Sequence, residues 1–268
     1  MEPTSIRFHS IPKISREDIV LPERILNLIE RHTMGYSRNS ERLKASGRST
    51  KHGLLLYGPP GTGKTFTVKW LASTQPDLTV IILSGEQLGL VREGCEMARM
   101  LSPSLVVMED VDLVATQRDT QLAPGSKVTL HQILNEMDGM PDNADITFLL
   151  TTNRPNDIEP ALAGRPGRID QTIEFPLPDR DCRSRLFDLY GRGLRLDLQD
   201  REHFLDRTEG ASPAFIQELI RRSAVIAADR SDETPIHVID ADMREAIQEL
   251  LFAGGDLTRT LLGFASEV

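Results

Sequence analysis

Five short apolar runs punctuate the chain, with enough sequence between them for helices. Most are continuous rather than alternating, which is typical of strands buried on both faces of a sheet. The five runs are Gly53–Tyr57, Thr79–Leu83, Leu105–Met108, Ile146–Asn153 and Gln171–Phe175. Helical stretches lie between them, notably Val91–Leu101 and Lys127–Met137. This alternation predicts an α/β fold with a parallel sheet covered by helices on both faces.

The sequence ahead of the first run has a weaker pattern. Residues 1–15 contain two prolines and are expected to form an irregular arm. A helix should begin after Pro22, where apolar residues recur at helical spacing, and should end at Gly35. Residues 37–51 are polar and basic, and are expected to form a linker or a short helix.

Beyond residue 179 helical periodicity replaces the strand-like runs, over Cys182–Tyr190, Pro213–Ala228 and Asp240–Leu251. Ser212 followed by Pro213 is typical of a helix start, with serine as the cap and proline in the first turn. A small α-helical domain is therefore expected after the sheet. The predicted organisation is an arm at 1–15, an α/β domain at 16–179, a helical domain at 180–253 and a tail at 254–268.

Composition limits the function more than the fold. The 268 residues carry a formal net charge of −9 and no basic tract, which disfavours nucleic acid as the main partner. No apolar run approaches the length of a membrane span, and the first residues lack the pattern of a secretory signal. Cys95 and Cys182 match no metal-binding spacing and are typical of thiols in a reducing compartment. A cytoplasmic protein without nucleic-acid or membrane partners is expected.

The loop after the first run matches G-x-x-x-x-G-K-T, the pattern of a phosphate-binding loop. Its glycines let backbone N–H groups turn toward phosphates, and the helix that follows directs its positive end at the same anion. Lys64 can reach the β- and γ-phosphates, and the Thr65 hydroxyl can bind Mg²⁺. The alternative, a flexible loop with a chance lysine, is disfavoured by the strand before it and the helix after it. The nucleotide-binding candidates are Gly58, Pro59, Pro60, Gly61, Thr62, Gly63, Lys64, Thr65 and Phe66.

Polar residues follow two of the other predicted strands. Glu109 and Asp110 end one run, and Asn153 ends the next. Ligands of parallel sheets bind beyond the carboxyl ends of the strands, so one carboxylate can hold Mg²⁺ while the other polarises the attacking water. Asn153 can orient the same water or touch the γ-phosphate. The alternatives are a solvent-facing strand end for the acids and a turn-forming role for the asparagine.

These residues together resemble the AAA family of ATPases. The resemblance also includes Thr151-Thr152-Asn153-Arg154-Pro155, Pro160-Ala161-Leu162 and Arg165-Pro166-Gly167-Arg168, which are similar to the family's second region of homology. Asp18-Ile19-Val20 resembles the segment that flanks adenine, and residues 208–214 resemble the start of the lid helix. The resemblance covers about residues 15–251. It implies a P-loop sheet sandwich with a helical lid, ATP and Mg²⁺ as ligands, and four further nucleotide contacts: Ile19, Val20, Pro213 and Ala214.

The resemblance also implies assembly and a division of roles. Family members form rings, usually of six subunits, with ATP at each interface. Arg165 and Arg168 match the arginines that reach the neighbouring subunit's γ-phosphate; the alternative is two solvated loop arginines. The acids depart from the usual order of Asp then Glu, so that metal contact falls to Glu109 and water activation to Asp110. Gly164 is an extra residue before Arg165, which makes Arg168 the firmer match.

A second departure concerns the substrate. Many relatives grip a threaded polypeptide with an aromatic–hydrophobic–glycine loop, but no aromatic residue lies between Leu78 and Leu105. Leu88 and Leu90 are candidates for a non-aromatic grip, but packing against a helix is the preferred interpretation. The sequence names neither the substrate nor an adaptor, and either a partner protein delivers the substrate or the chain belongs to a longer protein.

Three functions remain. The first is a Mg²⁺-dependent ATPase that forms a homo-oligomeric ring and remodels a protein partner. The second is a nucleotide-switched scaffold with slow hydrolysis or none, which the reversed acids and the missing aromatic loop keep open. A nucleic-acid motor is the weakest of the three because the chain is acidic. Guanine nucleotides are disfavoured by the resemblance alone, since the loop binds phosphates and does not read the base.

Overall fold

The computed structural model describes residues 6–115, 130–141, 144–156, 158 and 169–250. Its main sheet contains β1 (His52–Tyr57), β2 (Thr79–Ser84), β3 (Ser104–Glu109), β4 (Ile146–Thr152) and β5 (Gln171–Glu174). The helices around this sheet are α1 (Glu23–Glu30), α2 (Tyr36–Ala45), α3 (Lys64–Thr74), α4 (Val91–Met100), α5 (Asp112–Ala115) and α6 (Leu130–Asp138). Each predicted strand is present, with boundaries that differ by one or two residues at most.

The five strands are all parallel and lie in the order β2-β3-β4-β1-β5. The chain therefore leaves β1, crosses to the far edge, and returns to place β4 and β5 on either side of it. This order brings the loop after β1 next to the carboxyl end of β4, which in turn lies beside the end of β3. Polar residues that are distant in sequence consequently meet at one edge of the sheet.

Both faces of the sheet are packed, which explains the continuous apolar runs. Leu54 and Leu56 of β1 point into a core that includes Trp70 and Leu71 of α3. Leu55, between them, points into the opposite core with residues of α4 and α6. The α/β prediction is confirmed.

The helix predicted to end at Gly35 continues through it. A π-helical turn, Arg31–Gly35, follows α1 and leads directly into α2. Gly35 has φ −64° and ψ −42°, which is ordinary right-handed helix. Glycine weakens a helix only modestly unless a left-handed turn is required, and none is required here. The prediction of a break at Gly35 was wrong, whereas of the two expectations for residues 37–51, a linker or a short helix, the helix is correct up to residue 45.

The helical unit after the sheet contains α7 (Arg180–Tyr190), α8 (Arg201–Arg207), α9 (Pro213–Arg230) and α10 (Asp240–Gln248). Its core is built around Phe187, Phe204 and Phe215. The predicted helix start at Ser212 is present, because Ser212 Oγ accepts a hydrogen bond from Phe215 N at 3.2 Å. A short parallel pair, β6 (Arg195–Asp197) with β7 (His237–Ile239), was not predicted. Three residues per strand carry too little pattern to separate them from loops.

The segment before α1 joins the two units. Ile19 is buried in the core beside the sheet, whereas Val20 packs against the core of the helical unit. Asp18 and Arg192 of the helical unit form an ion pair at 2.5 Å. None of the described helices has the length and apolar character needed to cross a membrane.

Candidate functional site

The loop between β1 and α3 has the backbone shape of an anion cradle. Gly58, Gly61 and Gly63 have φ values of 149°, 75° and 97°. A Cβ on Gly58 would lie 2.2 Å from the carbonyl oxygen of Phe175, the residue that follows β5. All three glycines have a positive φ that residues with a Cβ rarely adopt, and Gly58 also has no room for a side chain. The motif glycines are therefore required by geometry as well as by sequence pattern.

The same loop touches the helical unit. A Cβ on Gly61 would lie 2.9 Å from Ala214 Cβ and 3.0 Å from Ser212 Oγ. Ala214 N donates a hydrogen bond to Gly61 O at 3.2 Å, so α9 begins against the loop. The predicted contacts Pro213 and Ala214 accordingly lie beside the phosphate loop. Because of this contact, a change in the position of the helical unit would also displace the loop.

Lys64 is buried at the start of α3, and its ammonium group donates to Gly58 O at 2.7 Å and to Pro59 O at 2.9 Å. Burial lowers the pKa of Lys64 to about 8, whereas the nearby carboxylates of Asp110 and Asp112 act in the opposite direction. A phosphate placed in the loop would replace the carbonyl partners with a full negative charge. Lys64 is thus positioned to bind an anion, but without one its ammonium group is bound to carbonyl oxygens of the loop.

Glu109 is the last residue of β3 and shares its sheet face with Leu105 and Val107, which pack in the core with α3. Its Oε1 atom is buried and has no hydrogen-bond partner among the described residues. A buried carboxylate oxygen without a partner is costly, and a cation or its bound water would satisfy it. Thr65, the other predicted metal ligand, is exposed at the start of α3. The two residues fit a Mg²⁺ ion that takes its remaining ligands from phosphates and water.

Asp110 follows β3 in a left-handed backbone conformation, with φ 51°. Its carboxylate accepts a hydrogen bond from Asn153 Nδ2 at 3.0 Å. Burial, and then the neighbouring charge of Asp112, raise the pKa of Asp110, although Lys64 and Asn153 act in the opposite direction. A carboxylate with a raised pKa is a better proton acceptor than an exposed one. The two residues predicted to handle water are therefore in contact.

Sequence reasoning did not assign roles to Asp112 and Thr152. Asp112 is buried, and its Oδ1 accepts hydrogen bonds from Thr152 Oγ1 at 2.8 Å and from Asn153 N at 3.2 Å. These bonds fix the end of β4 to the turn after β3. The sequence did indicate that such bonds exist, because two threonines at the end of an apolar strand need buried hydrogen-bond partners.

The remaining predicted residues are placed less directly. Ile19 is buried in the sheet-side core. Val20 is partly buried, and Phe66 on α3 is exposed. Leu88 is 1% exposed and packs in the core, which accounts for it as a structural residue. Arg165 and Arg168 lie outside the described residues.

Five parallel strands and a glycine-rich loop that ends in a buried lysine define a P-loop protein of the α/β class. The sequence model of the ATPase family associated with various cellular activities (AAA) matches residues 54–177. The proteasome-activating nucleotidase of Thermococcus gammatolerans is 31% identical over 274 residues, covering 97% of this chain and 68% of that protein. This chain belongs to the AAA family of ATPases, as its sequence motifs predicted.

Two further relatives show how the similarity extends. The ATP-dependent zinc metalloprotease FtsH of Synechococcus is 32% identical over 245 residues, covering 86% of this chain and 37% of the relative. The 26S proteasome regulatory subunit 6B homolog of Encephalitozoon cuniculi is 35% identical over 229 residues, covering 81% of this chain and 58% of the relative. The chain therefore spans between about one third and two thirds of the length of the three relatives named here.

Proposed function

We propose that this protein hydrolyses ATP with Mg²⁺ and uses the turnover to remodel a protein partner. The observation that carries the proposal is the meeting of three groups at the carboxyl edge of the sheet. These are the buried oxygen of Glu109 that has no partner among the described residues, the Asp110–Asn153 pair, and Lys64 in the phosphate loop. A metal-facing acid, a water-facing acid and a phosphate-facing lysine are the parts that phosphoryl transfer to water needs.

In this proposal the Asp110 carboxylate accepts a proton from water as the water oxygen bonds to the γ-phosphorus. The bond between that phosphorus and the β–γ bridging oxygen breaks, and ADP and phosphate are formed. Asn153 orients the water through its contact with Asp110, and Lys64 offsets charge on the β- and γ-phosphates. Bound Mg²⁺, held by Glu109 and Thr65, would supply further charge neutralisation on the phosphates.

The remodelling role is supported by the kind of relatives that the chain resembles. Two are named as a proteasome-activating nucleotidase and a 26S proteasome regulatory subunit homolog, and one as an ATP-dependent metalloprotease. By similarity, we propose a ring of identical subunits, usually six, in which Arg165 and Arg168 reach the neighbour's nucleotide. The protein substrate or adaptor is unidentified.

The direct test of the site is Lys64→Ala, with Lys69→Ala as the matched control on an exposed position of the same helix. Loss of Lys64 should abolish measurable ATP binding or turnover, while the control should match the wild type. Binding can be followed by the fluorescence of Trp70, the one tryptophan of the chain, which lies on α3. Wild-type turnover in Lys64→Ala, at an unchanged melting temperature, would contradict the site.

The ring is tested separately by light scattering with a non-hydrolysable ATP analogue. A species larger than a dimer is expected only with nucleotide. Mixing the Arg168→Ala variant with Lys64→Ala should restore part of the turnover, since each can supply what the other lacks. A strictly monomeric protein with full activity would rule out the arrangement in trans.

A nucleotide-switched scaffold is the second candidate. It is favoured by the bonds from Lys64 to the carbonyls of Gly58 and Pro59, which have to break before phosphate binds. A phosphate-release assay separates the two candidates. Nucleotide-dependent assembly without phosphate release would favour the scaffold.

A further inference from the structure

Thr151 is a buried polar residue at the end of an otherwise apolar stretch of β4. It is 1% exposed, and the three residues before it in the strand are apolar and buried. A buried hydroxyl needs a hydrogen-bond partner, so its presence calls for a specific explanation. The partner is not a side chain but the backbone of Asp110, which donates its N–H to Thr151 Oγ1 at 3.0 Å.

The contact occurs where normal pairing between β3 and β4 stops. The parallel register ends at Met108 opposite Leu150. One residue further on, Thr151 binds two successive N–H groups: its Oγ1 accepts from Asp110, and its carbonyl oxygen accepts from Val111 at 3.0 Å. A valine of the same shape would keep the carbonyl bond but leave the Asp110 N–H without its partner.

The backbone that Thr151 binds has an uncommon conformation. Asp110 is the one non-glycine residue with positive φ among the described residues. Left-handed backbone is unfavourable for residues with a Cβ, and it persists where neighbouring contacts enforce it. In a regular strand the Asp110 side chain would point to the opposite face of the sheet from that of Glu109. The left-handed backbone at Asp110 turns its carboxylate away from that direction. It then meets Asn153 Nδ2 at 3.0 Å.

We propose that Thr151 is a positioning residue, whose hydroxyl holds the Asp110 backbone in the conformation that presents its carboxylate to the attacking water. The inference rests on the proposed ATPase function. An aspartate has one methylene fewer than a glutamate, so its carboxylate follows the backbone closely. A small backbone change at Asp110 therefore moves the reacting oxygen by a similar amount.

The test compares Thr151→Val, Thr151→Ala and Thr151→Ser, with Thr147→Val as the matched control near the other end of β4. Val and Ala remove the hydroxyl and should slow single-turnover hydrolysis by at least ~10-fold, since a displacement of about 1 Å can cost on the order of 10²-fold. Nucleotide affinity should stay within about twofold, because Thr151 does not touch the phosphate loop in this proposal. Serine retains an acceptor and should recover most of the rate, and Thr147→Val should match the wild type.

A double-mutant comparison shows whether Thr151 acts through Asp110. Asp110→Asn removes the base, so adding Thr151→Val to it should slow the reaction no more than about twofold further. If Thr151→Val instead damaged the site in a general way, the fold-losses in rate of the two single variants would multiply in the double variant. Use of both Val and Ala guards against one variant folding poorly, and thermal melts identify such a variant.

The outcomes separate this inference from the proposed function. No turnover by the wild type under any nucleotide and metal condition would overturn the ATPase proposal, and the positioning role with it. Wild-type turnover that Thr151→Val and Thr151→Ala both preserve would overturn the positioning role alone. A rate that serine does not recover, or losses that multiply in the double variant, would also overturn it.

Discussion

The sheet and the helical unit hold the candidate site in different ways. On the sheet side, a part-buried hydrogen bond joins Thr151 to Asp110 and a buried one joins Thr152 to Asp112. On the helical side, the links include the Ala214–Gly61 bond, the exposed Asp18–Arg192 ion pair, a bond from Arg185 Nη1 to Leu21 O at 3.4 Å and the packing of Val20. Groups that must be oriented to a fraction of an ångström sit on the part with buried support. The helical unit is joined to the sheet domain by a few polar links and one packed side chain, which is typical of a part that opens locally at low cost.

The largest effect on activity is expected from Asp110→Asn, at the site on the sheet side, with Glu109→Gln for comparison. Asp110→Asn should bind Mg·ATP nearly normally and turn over at least ~10²-fold more slowly, as expected when a general base is lost. Glu109→Gln should instead raise the dissociation constant for Mg·ATP more than Asp110→Asn does, because the metal bridges protein and phosphates. Equilibrium binding and single-turnover rates separate the two effects. Wild-type turnover by Asp110→Asn would contradict the assignment of the base.

The pH dependence of ATP binding tests Lys64, which stands at the end of the phosphate loop and begins α3. Its pKa is about 8 in the free protein, and bound phosphates should raise it. The protonated form therefore binds better: affinity should be constant below that pH and fall by about tenfold for each pH unit above it. Calorimetry from about pH 7 to about pH 10 measures this slope. Lys64→Arg keeps its charge throughout and should lose the dependence; a wild type with no slope would contradict the prediction.

The contact between the loop and the helical unit can be weakened by Gly61→Ala, with Gly63→Ala as its control. Both glycines have positive φ, so both substitutions strain the backbone, but only a Cβ on Gly61 meets Ser212 and Ala214. Gly61→Ala should weaken ATP binding by about fivefold more than Gly63→Ala, equivalent to about 1 kcal/mol. Equal losses in a binding titration would show that the contact with the helical unit does not matter.

The smallest effect is expected from Arg192→Ala. The ion pair with Asp18 is largely exposed, and such pairs contribute only about 0–1 kcal/mol. ATP affinity and melting temperature should therefore change little, by no more than about twofold in affinity. Because a link that holds the helical unit in place slows entry and exit alike, the rates of nucleotide binding and release, measured by stopped-flow fluorescence of Trp70, should rise together. An unfolded or inactive Arg192→Ala would show that the helical unit depends on this link far more than its exposure suggests.

The sequence was sufficient for features that depend on local pattern. Continuous apolar strands, a glycine-rich loop and strand-end acids predicted the sheet and brought Lys64, Asp110 and Asn153 to one edge of it. Features that depend on tertiary contacts were not predictable. Gly35 stays helical because its backbone needs no left-handed turn, and the bond from Asp110 N to Thr151 Oγ1 depends on strand register that no local pattern encodes.

The segment before α1 has a mechanical consequence. Ile19 is anchored in one core and Val20 in the other, and these neighbours are joined by a single stiff peptide bond. The segment is therefore a strap between two bodies. Ile14 and Ile19 are both held in the sheet-side core, so a rotation of the helical unit must either bend the chain at Val20 or withdraw Val20 from the helical core. This short tether limits how far the helical unit can swing away from the sheet while both side chains stay buried.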